Sequence, residues 1–162
     1  MWVQSSKCDH KCTGAKEEYN YKDSQFGKPV LRSDGAPTVT DIQYGIGYIQ
    51  GDVIQDRVCL DKEAKHCDNK MELLMLTKAK KLENVTSSGL VGLSPSSMGT
   101  EDSPSFIDAM YHAGAVDHRM FSFYDTNYMV DYKSAGSQLL LGGYDMKYAA
   151  PGAEMHWAPL ID

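Results

Sequence analysis

Two alternating runs on either side of a Gly-x-Gly tip constrain this chain more than any other feature. Thr38-Val39-Thr40-Asp41-Ile42-Gln43-Tyr44 is rich in β-branched and aromatic residues, and Tyr48 to Val58 alternates polar with apolar side chains. Such side chains suit a pleated, half-buried surface. The runs therefore predict two strands joined at Gly45-Ile46-Gly47 as a β-hairpin. The glycines are expected to turn the tip with positive φ and to let a ligand approach the backbone. Strand texture continues beyond the hairpin. Met71 to Thr77 is apolar and short with polar flanks, which favours a strand over a helix. Gly89 to Leu93 reads as a short buried strand, Ser94 to Ser103 as a polar loop. Met120 to Tyr124 and Gln138 to Tyr144 read as strands, and His156 to Ile161 as the start of one more. One helix stands out: Ser103 can cap it, Pro104 fits its first turn, Phe106, Ile107, Met110 and Ala113 follow helical spacing, and Gly114 ends it. The fold class is mostly β with one helix, and no repeat or linker divides the chain.

With 42% hydrophobic residues in 162, the chain can bury one real core. No apolar run approaches the ~20 residues that a membrane span needs; Leu139-Leu140-Leu141 is only strand-sized. A net charge of −6 repels phosphate backbones, which excludes nucleic acid as the expected partner. Lys78, Lys80 and Lys81 alternate with Ala79 as a solvated edge or loop.

Four cysteines, Cys8, Cys12, Cys59 and Cys67, fall into two close pairs. In an oxidising compartment they allow three pairings, of which Cys8–Cys12 with Cys59–Cys67 is the simplest. Zinc is the rival, because His10 and His66 sit beside them, although the spacing matches the usual zinc knuckles poorly. No metal and no cofactor are expected. Asn84-Val85-Thr86 is a glycosylation sequon and points to a secretory route. The opening residues, Met-Trp-Val-Gln-Ser-Ser-Lys, lack the pattern of a signal peptide, so the natural amino terminus is expected to lie upstream.

Several segments resemble, in one order, the amino-terminal lobe of the pepsin-like aspartic proteases. Trp2-Val3-Gln4-Ser5-Ser6-Lys7-Cys8 is similar to the run after that family's first active-site motif, and Cys8 to Cys12 to its small disulfide loop. Tyr19-Asn20-Tyr21-Lys22-Asp23-Ser24 is similar to its Phe-x-Pro-x-x-Ser stretch. Tyr44-Gly45-Ile46-Gly47 with Gly51-Asp52 resembles the flap hairpin, and Gly89-Leu90-Val91-Gly92-Leu93 the hydrophobic-hydrophobic-Gly strand. Ser105 to Gly114, Phe121-Ser122-Phe123-Tyr124, Leu141-Gly142-Gly143-Tyr144-Asp145 and Trp157-Ala158-Pro159-Leu160 resemble the elements that follow. The resemblance implies a pepsin-like acid protease lobe, with double-psi-type β sheets, a flap hairpin and one or two short helices, spanning 1–162 as a single partial domain. It implies a polypeptide substrate, hydrolysed by a carboxylate from each of two lobes under a closing flap. Tyr44 is then the flap tyrosine and Trp2 the indole that supports it, while Gly45 and Ile46 are tip residues that bind the peptide backbone. Leu90 becomes a pocket wall. Without the resemblance, Tyr44 is an ordinary hairpin tyrosine and Leu90 a core residue.

The chain departs from the family in one decisive respect. No Asp-Thr-Gly or Asp-Ser-Gly occurs; Asp34-Gly35 lacks the middle residue, and Asp125-Thr126-Asn127 lacks the glycine. Both read as turn residues. Ile46 stands where the family usually has Thr or Ser, and Ser88 where an Asp commonly precedes the glycine. Two expectations follow. In the first, these residues belong to a larger protease, are inactive alone, and pair with a carboxy-terminal lobe. In the second, they form a non-catalytic binding or structural subunit that needs another protein. Either way, the expected location is the secretory pathway, lysosome, vacuole or cell exterior.

Overall fold

In a computed structural model, the structure describes residues 1–8, 12–45, 47–96, 104–126 and 136–159. Its chain divides at Val116 into two compact units, Met1–Val116 and Asp117–Asp162.

The first unit is built on β4 (Tyr48–Cys59) and β5 (Cys67–Lys80), which run antiparallel from the Tyr48–Lys80 pair to the Cys59–Cys67 pair. On the outer side of β4 lie β2 (Lys28–Pro29) and β3 (Val39–Gln43). Beyond β5 comes β1 (Trp2–Val3), parallel to it, and then β6 (Gly89–Leu90), antiparallel to β1. The expected Met71–Thr77 strand lies inside β5. Its apolar run is continuous because β5 is covered on both faces. Leu74 and Leu76 pack with Trp2, Ile49 and Leu82 on one side, while Leu73 and Met75 pack with Ile54 on the other. The ladder skips Thr77, pairing Gln50 with Lys78 and then Gly51 with Leu76. That extra residue is a bulge, and it carries Ala79 onto the face of Leu76. Lys78, Lys80 and Lys81 are exposed, as their pattern implies.

The hairpin forms as expected, but its glycines act differently. Neither Gly45 nor Gly47 has positive φ. Gly47 is required for space: a Cβ there would lie 2.1 Å from the Lys80 carbonyl oxygen. Helix α1 (Phe106–His112) is capped by Ser105, whose Oγ accepts from the Asp108 amide at 3.2 Å, so Pro104 precedes the cap. Ser103 lies outside the described residues. Gly114, with φ of 70°, ends the helix. The buried face of α1 sets Ala109 and Met110 against Met71. The Gly89–Leu93 strand shrinks to two residues, because β1 offers it only Trp2 and Val3 as partners.

In the second unit, β7 (Phe121–Tyr124) and β8 (Gln138–Leu141) form an antiparallel ribbon from the Phe121–Leu141 pair to the Tyr124–Gln138 pair. Tyr124 stacks on Tyr148 with ring centroids 4.2 Å apart. The strand expected from His156 is not formed over its described part, His156–Pro159, which is exposed and pairs with no strand; Ile161 lies outside the described residues. Both local cysteine pairs are disulfides, Cys8–Cys12 and Cys59–Cys67. Among the described residues no cluster of His, Cys, Asp or Glu could hold a metal, and no helix is long and apolar enough to cross a membrane.

Candidate functional site

The first unit carries a groove of ≈ 560 Å³ between the β3–β4 hairpin, β1, β6 and the start of α1. Trp2, Ile42, Tyr44, Leu74, Leu90 and Phe106 give it an apolar floor and walls, and Thr38, Thr40 and Ser94 add hydroxyls. Among the described lining residues Glu72 is the one charged side chain.

The position of each group follows from the strands beneath it. Trp2 is set between Leu74 of β5 and Leu90 of β6, and only 2% of it is exposed. A buried indole needs a partner for its N–H. Trp2 Nε1 donates to the Tyr44 hydroxyl at 3.0 Å, across 42 residues of sequence. Tyr44 is half-buried at the end of the hairpin, where its amide donates to the Gly47 carbonyl at 2.7 Å. Gly45 is exposed at the tip, with nothing within 4 Å of where a Cβ would stand. Leu90 lies on the groove wall with 43% of its surface exposed. Trp2, Tyr44 and Leu90 thus share one cavity, with Gly45 next to it in the hairpin turn. Ile46 lies outside the described residues. Asn84 is not among the lining residues and is exposed in the turn between β5 and β6.

Two buried polar networks lie in the same unit, and sequence reasoning missed both. Gln4 is fully buried: its Nε2 donates to the Ala15 carbonyl at 3.2 Å, and its Oε1 accepts from the Thr13 amide at 2.8 Å and from the Thr13 hydroxyl. Ser5 Oγ donates to the Leu76 carbonyl at 2.6 Å. These bonds fasten the Cys8–Cys12 loop to the central sheet. At the base of the hairpin the buried Asp56 carboxylate accepts from the Tyr19 hydroxyl, from Ser24 Oγ at 2.7 Å and from the Arg57 amide at 2.6 Å. Burial, followed by the bond to Asp56 and its charge, pushes the Tyr19 phenol well above its ordinary range. The signal available in sequence was the Tyr19–Ser24 stretch, which supplies two of the three donors.

Ser88, in place of the family's usual Asp, donates to Glu17 Oε2 at 3.2 Å. Among the described lining residues of the groove no two carboxylates face each other. An acid–base pair for peptide hydrolysis is therefore not assembled from the described residues.

A family model for the eukaryotic aspartyl proteases matches residues 1–162. The chain belongs to that family. Rabbit (Oryctolagus cuniculus) pepsin F is 26% identical over 164 residues, covering 99% of this aspartyl protease chain and 38% of pepsin F. Pregnancy-associated glycoprotein 2 of Bos taurus is 26% identical over 161 residues, covering 99% of the chain and 39% of the relative. A pregnancy-associated glycoprotein of Equus caballus is 24% identical, with 38% of it covered. The chain therefore spans less than two fifths of the length of these curated relatives.

Proposed function

We propose that residues 1–162 are the flap-bearing, peptide-binding lobe of a pepsin-type endopeptidase, which hydrolyses peptide bonds only when two carboxylates from outside these residues complete it. The observation that carries this reading is the Trp2–Tyr44 hydrogen bond on the lining of an apolar groove, joined with membership of the family. Tyr44 and Gly45 belong to the flap over the peptide, Ile46 takes a tip role by resemblance alone, Trp2 holds Tyr44 in place, and Leu90 walls the pocket for the side chain before the scissile bond. Two neighbouring carboxylates cannot both ionise, so one stays protonated and the pair activates water. The partners are a polypeptide substrate and a carboxy-terminal lobe. The disulfides call for an oxidising compartment, and the exposed Asn84 sequon suits passage through the secretory route with an N-linked glycan. Glycosidase treatment of the native protein should then shift the mass of the Asn84 peptide.

The test is cleavage of an unfolded protein at acidic pH. The full-length protein should cleave it and pepstatin should stop it, while residues 1–162 alone should cleave nothing. Pepstatin-sensitive cleavage by 1–162 alone would overturn the need for outside carboxylates. Pepstatin binding to the full-length protein without any cleavage would favour the second reading, a protease-like binding subunit, which the missing Asp-Thr-Gly and Asp-Ser-Gly motifs keep in play.

A further inference from the structure

The tip of the hairpin carries a contact that the family resemblance does not supply. Gln43, the last residue of β3 and exposed, turns its side-chain amide back on the tip. Its Nε2 donates to the Tyr44 carbonyl at 2.9 Å and to the Gly47 carbonyl at 3.1 Å. The same two carbonyls already accept backbone donors: Tyr44 N–H to Gly47 O at 2.7 Å, and Gly47 N–H to Tyr44 O at 3.3 Å. A carbonyl oxygen has two lone pairs. On both of these oxygens, each lone pair is matched by a donor.

We propose that Gln43 is a positioning residue for peptide binding: its amide saturates the Tyr44 and Gly47 carbonyls, so these two groups accept nothing from a peptide. An extended peptide presents N–H and C=O groups in alternation. A tip with open acceptors would bond the peptide in either of two registers. Once those acceptors are filled, a peptide N–H facing them goes unpaired, and an unmade buried bond disfavours that register. The peptide is then selected by its carbonyls, at the Gly45 end of the turn, where nothing stands within 4 Å of the position a Cβ would take. This rests on the peptide-binding reading above.

The experiment uses the full-length protein with Gln43→Glu and Gln43→Leu. An ionised glutamate has the same reach but no donor, and its charge faces two carbonyls. Both variants should keep buried-tryptophan fluorescence, since Gln43 is exposed. At pH 6 the Tyr44 and Gly47 amides of Gln43→Glu, which bond the same two carbonyls, should exchange about fivefold faster for each bond lost, after correction for intrinsic rates. Pepstatin should bind more weakly by a similar or larger factor. On acidification through about pH 4 the glutamate regains one donor, so protection and affinity, each taken relative to the wild type at the same pH, should partly return. Gln43→Leu should show no such return. Unchanged tip exchange in Gln43→Glu, or the same pH profile in both variants, overturns the clamp. Faster tip exchange in a protein whose wild type does not bind pepstatin overturns the role in binding, and separates that failure from failure of the clamp.

Discussion

The two glycines of the hairpin turn should respond to the same substitution in opposite ways. At Gly47 a Cβ would stand 2.1 Å from the Lys80 oxygen and 3.2 Å from the Lys80 carbonyl carbon, where ordinary contact begins at 3.4 Å. The obstacle is backbone, so it cannot rotate aside; one strand must withdraw by more than about 1 Å, well into the range that overpacking penalises. Withdrawal opens the Tyr48–Lys80 pair at the end of the β4–β5 ladder. Overpacking costs about 1–3 kcal/mol and a lost hydrogen bond about 1 kcal/mol. Gly47→Ala should therefore destabilise the first unit by roughly 2–4 kcal/mol. At Gly45 an added Cβ meets nothing within 4 Å and φ is not positive, so Gly45→Ala should stay within about 0.5 kcal/mol of the wild type. Urea unfolding followed by tryptophan fluorescence reads the difference, because Trp2 is buried whereas Trp157 is 70% exposed and contributes little change. With a slope of about 1.5 kcal/mol per molar urea, the Gly47→Ala midpoint should fall by roughly 2 M. Equal midpoints for the two variants would refute the steric account of the turn.

Two further outcomes follow from the carboxylates. Hydrogen bonds from the Lys65 amide, then from the His66 amide and ring, hold the half-buried Asp61 at about 2. Because that lies below the unfolded value of about 3.9, its contribution to stability is complete above about pH 4 and is lost as pH falls through about 2; an NMR titration with a midpoint near 4 would contradict it. Tyr19→Phe should lower stability by about 1–2 kcal/mol by removing one donor from buried Asp56, and an unchanged urea midpoint at pH 7 would count against the network. The raised Tyr19 phenol contributes stability that is full below about pH 10 and lost as pH rises further, so the Phe variant should also lose part of the alkaline decline.

The strands were legible where alternation had one clear meaning. Val39–Gln43 and Tyr48–Cys59 follow from their pattern, and the buried run in β5 from its length and flanks. What escaped depended on partners far away in sequence. Two serines flank Pro104, and either could cap a helix; only the fold selects Ser105. Gly89–Leu93 has strand character throughout, but pairing stops where β1 stops. Gln4 finds its partners only when the fold brings Thr13 and Ala15 around it. The glycines of the tip announced a turn, yet their distance from Lys80 could not be read from a hairpin considered by itself. Trp2 and Tyr44 were linked through the family resemblance; periodicity alone would have left them unconnected.

Strand β1 sets the order in which this molecule can assemble. Both disulfides close short loops, with sequence separations of 4 and 8, and β3, β4 and β5 are neighbours along the chain. These parts carry little loop-closure entropy and form early. Trp2 instead meets Leu74 and Leu90, about seventy and ninety residues further on, and such distant pairings close slowly. Until they do, the β5 edge at Leu74 and Met75 is open to other chains. The groove is thus a late product of folding, and the chain has its greatest exposure to misassembly just before its site comes into being.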